Sequence, residues 1–485
     1  MAILRGLKRN LLNIKKNESS PLIANKEHWH GLGVRHIQAC WLFAAMVFGY
    51  FLRVNMSIAV VAMTKSSENP NIEKYDWDSS TRSTILSSFF WGYVLAQFPA
   101  AMGAQRFGAK NVLTLSTIVC SILTAAIPWA ASVGDWTATC IIRVLVGFFQ
   151  GSVYPCVHNL LAKWVPRTER GFLSSVTYSG AQLGTVIMLA VSGPIVTSYI
   201  GWPSLFYISG GVAFIWAIAY LIFGAETPDH SNIISASERD YVKKLTGNSM
   251  ITTLKTPWKD MFTSRPFIAL IFAHSGFTWG FYTLLTEMPT YMDGVLDMHM
   301  GSNGLLSALP YFVMWILCLI VSPVADFLIN RGYMTATTSR KLFNTIGQWV
   351  PMLCLIGLGY MDKNNVEFAI ALLTLAVGVN SASYVGYLVN HMDLSPNFAG
   401  TMMGITNGIS NLLSIFAPLV VGGIVENEAD SSEWRTVFFI TAGFYFVCNL
   451  MFIILGSAEV QPWNHAQIND SALKINSNQN KQNDP

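Results

Sequence analysis

Arg53, in Tyr50-Phe51-Leu52-Arg53-Val54-Asn55, and Arg143, in Ile141-Ile142-Arg143-Val144-Leu145, place guanidinium groups inside long apolar runs. A charge at the centre of a membrane helix costs at least about 2.5–3.5 kcal/mol, so such residues need a compensating role. Neither has an acidic residue on its own run to pair with. A guanidinium stays protonated, and its planar fork matches carboxylate or phosphate. Two of them without fixed counter-ions predict a bound anion. The alternative is structural, with Arg143 bonded to backbone carbonyls or snorkelling toward its nearer helix end. At about 1.5 Å per residue, Arg53 lies about 16 Å from the far end of its run and Arg143 roughly 10 Å from the start of its own. Both are thereby expected toward the outer part of a central cavity.

Other polar side chains share these runs. Gln150 follows Arg143 by two helical turns and so belongs on the same face. His274 sits near the middle of its run and is the one side-chain type that titrates near neutral pH. A neutral packing role is its alternative. Glu287, beside Pro289, is about 20 Å further along a straight helix, so the two do not form a local dyad. Tyr93, Tyr178, Tyr282 and Tyr384 bring hydroxyls that suit an oxyanion if they face a cavity. Asn55-Met56-Ser57 fits a glycosylation pattern, but a helix interior makes its use implausible.

The elements that carry these groups are dictated by composition. Of 485 residues, 52% are hydrophobic and only 12% charged. A soluble chain carries about twice that charged fraction. A net charge of +3 is too small to argue for nucleic acid, and none is expected as a partner. The seven cysteines (Cys40, Cys120, Cys140, Cys156, Cys318, Cys354 and Cys448) lie in apolar stretches without metal-ligand spacing and are expected as small core residues. Crossing the hydrocarbon takes roughly 20 apolar residues. Candidate spans fall at 37–63, 83–103, 111–131, 137–160, 172–195 and 203–224, then at 267–291, 303–325, 341–361, 366–389, 400–424 and 435–456. The first is expected to act as its own insertion signal.

Charge supports this arrangement. With both termini cytosolic, almost all lysines and arginines fall inside, and the outer loops keep only Lys65, Lys74, Arg82, Lys363 and Arg435. Those loops are acidic, with Glu68, Glu73, Asp76 and Asp78 on one and Glu426, Glu428, Asp430 and Glu433 on another. The second half also echoes the first. Trp202-Pro203-Ser204-Leu205-Phe206 opens the sixth span and Trp434-Arg435-Thr436-Val437-Phe438 the twelfth. Pro166 and Gly171 match Pro396 and Gly400, and the turn ending at Gly108 has a looser partner ending at Gly332. The division expected is a cytosolic tail 1–35, a six-helix half 36–224, a cytosolic loop 225–265, a second six-helix half 266–457 and a disordered tail 458–485. This all-α, 6+6 layout is that of the major facilitator superfamily, in which two halves rock about a midplane site. No helix offers a paired carboxylate, metal cluster or nucleophile with a base, so an enzyme is not expected. A channel or a non-transporting sensor or scaffold are the competing functions.

Phe89-Phe90-Trp91-Gly92-Tyr93, Lys163-Trp164-Val165-Pro166-Arg167-Thr168-Glu169-Arg170, Trp279-Gly280-Phe281-Tyr282, Asn390-His391-Met392-Asp393-Leu394-Ser395-Pro396 and Gly404-Ile405-Thr406-Asn407 together resemble the anion:cation symporters of solute carrier family seventeen. That family includes sialin, vesicular glutamate transporters and sodium–phosphate cotransporter-like proteins. The resemblance runs from about residue 34 to 463 and looks closest to the insect branch described as inorganic phosphate cotransporters. It matches Arg53 and Arg143 to the family's substrate arginines and His274 to a histidine of sialin; with Tyr93, Tyr282 and Asn407 as further expected substrate contacts, Gln150 and His274 are the expected coupling or gating positions. Gln150 stands where sialin and the glutamate transporters carry a glutamate, Val146 where sialin has a second, Leu86 where the glutamate transporters have histidine, and Phe277 where they have arginine. A neutral amide carries no proton, and the phosphate-cotransporter-like branch resembled here also tends to have glutamine, so its sodium-linked description makes sodium-coupled movement of phosphate or a small organic anion the first expectation. Proton-coupled organic-anion transport in a lysosome or vesicle is the second. No cofactor beyond the coupling ion is expected, and a monomer suffices. Glu18-Ser19-Ser20-Pro21-Leu22-Ile23 resembles an acidic dileucine sorting signal, which leaves plasma and endolysosomal membranes both open.

Overall fold

The computed structural model describes residues 31–64, 73–77, 79–246, 256–296, 300–425, 427 and 429–465. The dileucine-like segment and the far C-terminal tail lie outside them. Within lipid no water satisfies backbone groups, so apolar runs of this length become helices. The chain forms twelve spans. The first six are Val34–Thr64, Ser79–Phe107, Ala109–Ala125 with its continuation, a fourth reaching through Gln150 and Val153–Trp164, Arg170–Thr197 and Pro203–Phe223. The second six are Arg265–Gly294, Met300–Asn330, Ala336–Leu358, a tenth running from Val366 to Leu394, Ala399–Ser414 with Phe416–Ile424, and Ser431–Leu455. A short helix, Ala236–Thr246, lies between the halves in sequence. Exposed Trp91, Leu95, Ile141, Leu145, Ile215, Ile222 and Phe368 give the bundle an apolar outer face, the surface a bilayer requires.

The repeat read from the sequence governs the packing. Span one lies on five, two on four and three on six; seven lies on eleven, eight on ten and nine on twelve. Span five meets eight and span two meets eleven across the halves, the same pair of contacts exchanged by the repeat. Gly108 and Gly332, matched in the sequence, both turn at positive φ, +89° and +75°. A side chain at either would be strained.

Three irregularities were not legible as such. The third span passes into the fourth at Gly134 and Asp135, where Asp135 adopts φ 53° and its carboxylate accepts the Trp77 indole N–H at 2.6 Å. The tenth span, expected to be continuous, loosens into a π-helical turn at Tyr384–Leu388, with Gly386 packed on the Asn344 backbone. Such turns commonly mark functional positions. Finally, six of the cysteines are buried as expected but Cys40 is exposed, because it lies on the outward face of span one.

Glycines set how closely spans two and four approach. A Cβ on Gly147 would meet the Phe89 carbonyl oxygen, and one on Gly92 the Val144 carbonyl oxygen. Neither backbone oxygen can turn aside. Gly147→Ala is therefore expected to destabilise the bundle by about 1–3 kcal/mol or more. Thermal unfolding of the purified protein in detergent checks this, and an unchanged midpoint refutes it. Gly180 and Gly184, expected to allow close helix contact, do so against the carbonyls of Phe43 and Val47.

Candidate functional site: a central cavity closed at one end

A cavity lies between the halves, lined by both. Arg53 from span one enters it and donates from Nη2 to the Tyr282 hydroxyl of span seven at 2.5 Å. Its guanidinium carbon stands 5.0–5.8 Å from the ring centres of Tyr50, Phe89, Phe90, Tyr93 and Tyr282. Faces of aromatic rings attract a cation at this range, so the arginine is held without a carboxylate. Among the described residues no aspartate or glutamate pairs with it or lines the cavity. Such a guanidinium keeps donors available to an incoming anion.

The other expected residues divide. Tyr93, Tyr282, Asn407 and His274 all line the cavity. Asn407 donates across the halves to the Tyr93 hydroxyl at 3.1 Å and to Gln97 Oε1 at 3.0 Å. Arg143 does not line it. Its guanidinium lies 5.0 Å from the ring centre of Phe89, the same ring that Arg53 meets at 5.1 Å, and its Nε and Nη1 have no hydrogen-bond partner. The expectation that both arginines face one cavity is thus corrected: the close approach of spans two and four holds Phe89 against Arg143. Gln150 is also outside; its amide donates to the Gly49 carbonyl at 2.7 Å and lines a smaller, separate cavity. Asn55 is buried and bonded to Ser209, as the doubt over its glycosylation anticipated.

Sequence reasoning passed over much of the wall. Tyr50, Tyr154, Gln182, Tyr387 and Asn411 also line the cavity. Tyr384, noted for its hydroxyl, takes a bond from Gln182 Nε2 at 2.5 Å across the halves. The π turn of span ten supplies Tyr384, Tyr387 and Leu388 together. The remaining signal in the sequence, tyrosines at scattered helical positions, is common to any membrane bundle.

One end of the bundle is tied shut by charge. Asp393 of span ten accepts from Arg170 Nη1 at 3.1 Å and Arg340 Nε at 2.8 Å, so one carboxylate joins span five of the first half to span nine of the second. Asp326 of span eight accepts the backbone N–H groups of Gly171 at 3.1 Å and Phe172 at 2.6 Å. A carboxylate at a helix N-terminus satisfies orphan donors and complements the dipole. Asn330 adds a bond to the Thr168 carbonyl at 2.7 Å. At the same end Glu238 of the intervening helix accepts from the N–H groups of Val34 and Arg35, while Arg35 also pairs with Glu169. Arg35, Arg170 and Arg340 are therefore buried in ion pairs, not solvated loop charges as the charge pattern alone implied.

The chain is similar to known proteins. The Major Facilitator Superfamily profile matches residues 41–418. The chain is 36% identical to a Drosophila melanogaster protein named "Putative inorganic phosphate cotransporter", over 95% of this chain and 93% of that one. It is 34% identical to human vesicular glutamate transporter 2, over 89% and 76% of the two chains, and 33% identical to sheep sialin, over 86% and 88%. Among solved structures, the proton:xylose symporter XylE bound to 6-bromo-6-deoxy-D-glucose superposes with a TM-score of 0.66 at 14% identity, covering 87% of this chain and 98% of that one. At that identity the likeness concerns the fold alone.

Proposed function

This chain belongs to the major facilitator superfamily and, within it, to solute carrier family seventeen, and we propose that it carries inorganic phosphate or a small organic anion across its membrane by cation-coupled alternating access. It is a membrane transporter and not an enzyme. The observation that carries the anionic substrate is Arg53: a guanidinium in a cavity between the halves, held by aromatic faces and one tyrosine hydroxyl in place of a carboxylate. Tyr93, Tyr282 and Asn407 join it as substrate contacts in this proposal. Arg143, with unpartnered donors behind Phe89, meets the anion only after the helices shift.

The basic end is taken to face the cytosol, by the excess of lysine and arginine there. The ties through Asp393 and Asp326 then make this the state closed to the cytosol. Moving one negative charge into a cell at −100 mV costs about 2.3 kcal/mol, so inward transport calls for a co-transported cation. Sodium is the cation that Gln150 suggests. A second reading, proton coupling, is favoured by one observation: His274 lines the cavity while no described lining residue is a carboxylate.

The test is reconstitution into liposomes, with uptake of labelled phosphate, sialic acid, glutamate and urate under separate sodium and proton gradients. Saturable uptake of at least one of them, driven by one gradient, is expected. Folded protein that moves none of them under either gradient refutes the proposal and leaves the sensor reading standing.

A further inference from the structure

Three histidines from three spans meet at the inner end of the cavity. His158 of span four and His391 of span ten have ring centres 5.1 Å apart, and His391 and His274 of span seven 6.1 Å apart. The Thr406 hydroxyl of span eleven lies between two of them, 3.0 Å from His274 Nδ1 and 2.9 Å from His391 Nε2. His391 Nδ1 is 3.1 Å from the Leu388 carbonyl.

One assignment of hydrogens satisfies all of these contacts at once. A carbonyl only accepts, so His391 Nδ1 bears the proton and its Nε2 is an acceptor. The Thr406 hydroxyl then donates to His391 Nε2; its other acceptor, the Met403 carbonyl, is more distant at 3.4 Å. The Thr406 oxygen in turn accepts from His274 Nδ1. The nitrogen left bare is Nε2 of His274, on the residue that lines the cavity.

We propose that His274, Thr406 and His391 form a proton relay that loads one proton from the cavity onto His391 and couples it to the closed end. The inference rests on the transport reading above and on its proton-coupled form. A proton arriving at His274 Nε2 releases the Nδ1 proton to Thr406, whose own hydroxyl proton passes to His391 Nε2. One proton enters, and the positive charge comes to rest on His391. That residue shares the short helix Val389–Leu394 with Asp393, the carboxylate that holds Arg170 and Arg340. Arg170 also donates to the Met392 carbonyl at 3.0 Å, beside His391, so a cation there repels Arg170 and weakens its bond to Asp393.

The surroundings fit this use. His158 faces His391, with Nδ1 bonded to the Tyr178 hydroxyl of span five. Tyr387 of span ten packs on both His274 and His391, and Tyr154 of span four stacks on Tyr178. Of the charged groups, Arg170 from span five approaches His158; Asp393 of span ten, Arg340 of span nine and Asp326 of span eight belong to the tie that Arg170 joins. Asp393 is shared by two arginines, and Asp326 is held by the Gly171 and Phe172 N–H groups.

The test uses the whole chain in liposomes loaded with a pH-sensitive dye, in sodium-free buffer, with phosphate, glutamate and sialic acid as probes. Adding a transported anion outside is expected to acidify the lumen. Thr406 does not line the cavity, so Thr406→Val should keep exchange of labelled anion across the membrane while acidification falls at least tenfold. Thr406→Ser should restore it, and His391→Gln should reproduce the loss. Anion exchange by the wild type without acidification, or acidification undiminished in Thr406→Val, overturns the relay and leaves the carrier intact. Absence of exchange in the wild type overturns the transport reading, and the relay with it.

Discussion

Arg53→Ala is expected to lower uptake at sub-saturating anion by about 100-fold, while the protein remains folded. A charge-assisted hydrogen bond is worth roughly 1.5–3 kcal/mol, and every 1.4 kcal/mol is tenfold. The alanine removes the one cation lining the cavity among the described residues, together with its bond to Tyr282. Arg53→Lys keeps the charge but loses the planar fork and the weak hydration that suits a guanidinium to aromatic walls. Its expected loss is intermediate, about tenfold, with KM rising more than the maximal rate falls. Initial rates of labelled-anion uptake, normalised to monodisperse protein, read both variants. Wild-type rates in Arg53→Ala would remove the ground for an anionic substrate in this cavity.

Asp393→Asn is the second large effect expected. It leaves Arg170 and Arg340, both buried, facing a neutral amide. Removing one partner of a buried ion pair costs about 3–5 kcal/mol. Much of that cost disappears if the halves part and the arginines reach water, so the substitution favours the form open at the basic end. Spin labels at Arg167 and Arg331, both exposed and on opposite halves, are expected to show a longer distance distribution in Asp393→Asn, in a cysteine-free background. Net uptake should fall sharply, because a carrier that cannot close one end does not cycle. An unchanged distance distribution with normal uptake would mean that Asp393 serves only to fold the bundle. Asp326→Asn provides the graded comparison: an amide oxygen still accepts from Gly171 or Phe172, so a smaller shift in the same direction follows.

How far the site was legible depended on the kind of signal each residue gave. Arg53 announced itself, because a cation inside an apolar run is costly whatever surrounds it, and it does line the cavity. Arg143 gave the same signal and lies behind Phe89 instead. Helical spacing says which face a residue is on, but not which neighbour stands in front of it. Gln150 shares the lesson: periodicity put it inward, and packing gave its amide to the Gly49 carbonyl of span one. His391 was quoted only as part of a motif, and His158 not at all. Each alone is an ordinary histidine in an apolar stretch, and their meeting depends on spans four, seven and ten crossing at one depth.

The sequence by itself determined the twelve spans, their grouping into six and six, and the paired turns at Gly108 and Gly332. Lipid excludes charge and unsatisfied backbone, so apolar run length and loop charge are enough to read these. The tertiary structure alone decided that Arg53 enters the cavity while Arg143 stays behind Phe89, and that Tyr384 and Tyr387 reach it through a π turn. It alone decided that one carboxylate, Asp393, ties two arginines from opposite halves. Those facts are distances between residues remote in the chain, set by how closely glycine-faced helices approach, and no periodicity along one helix records them.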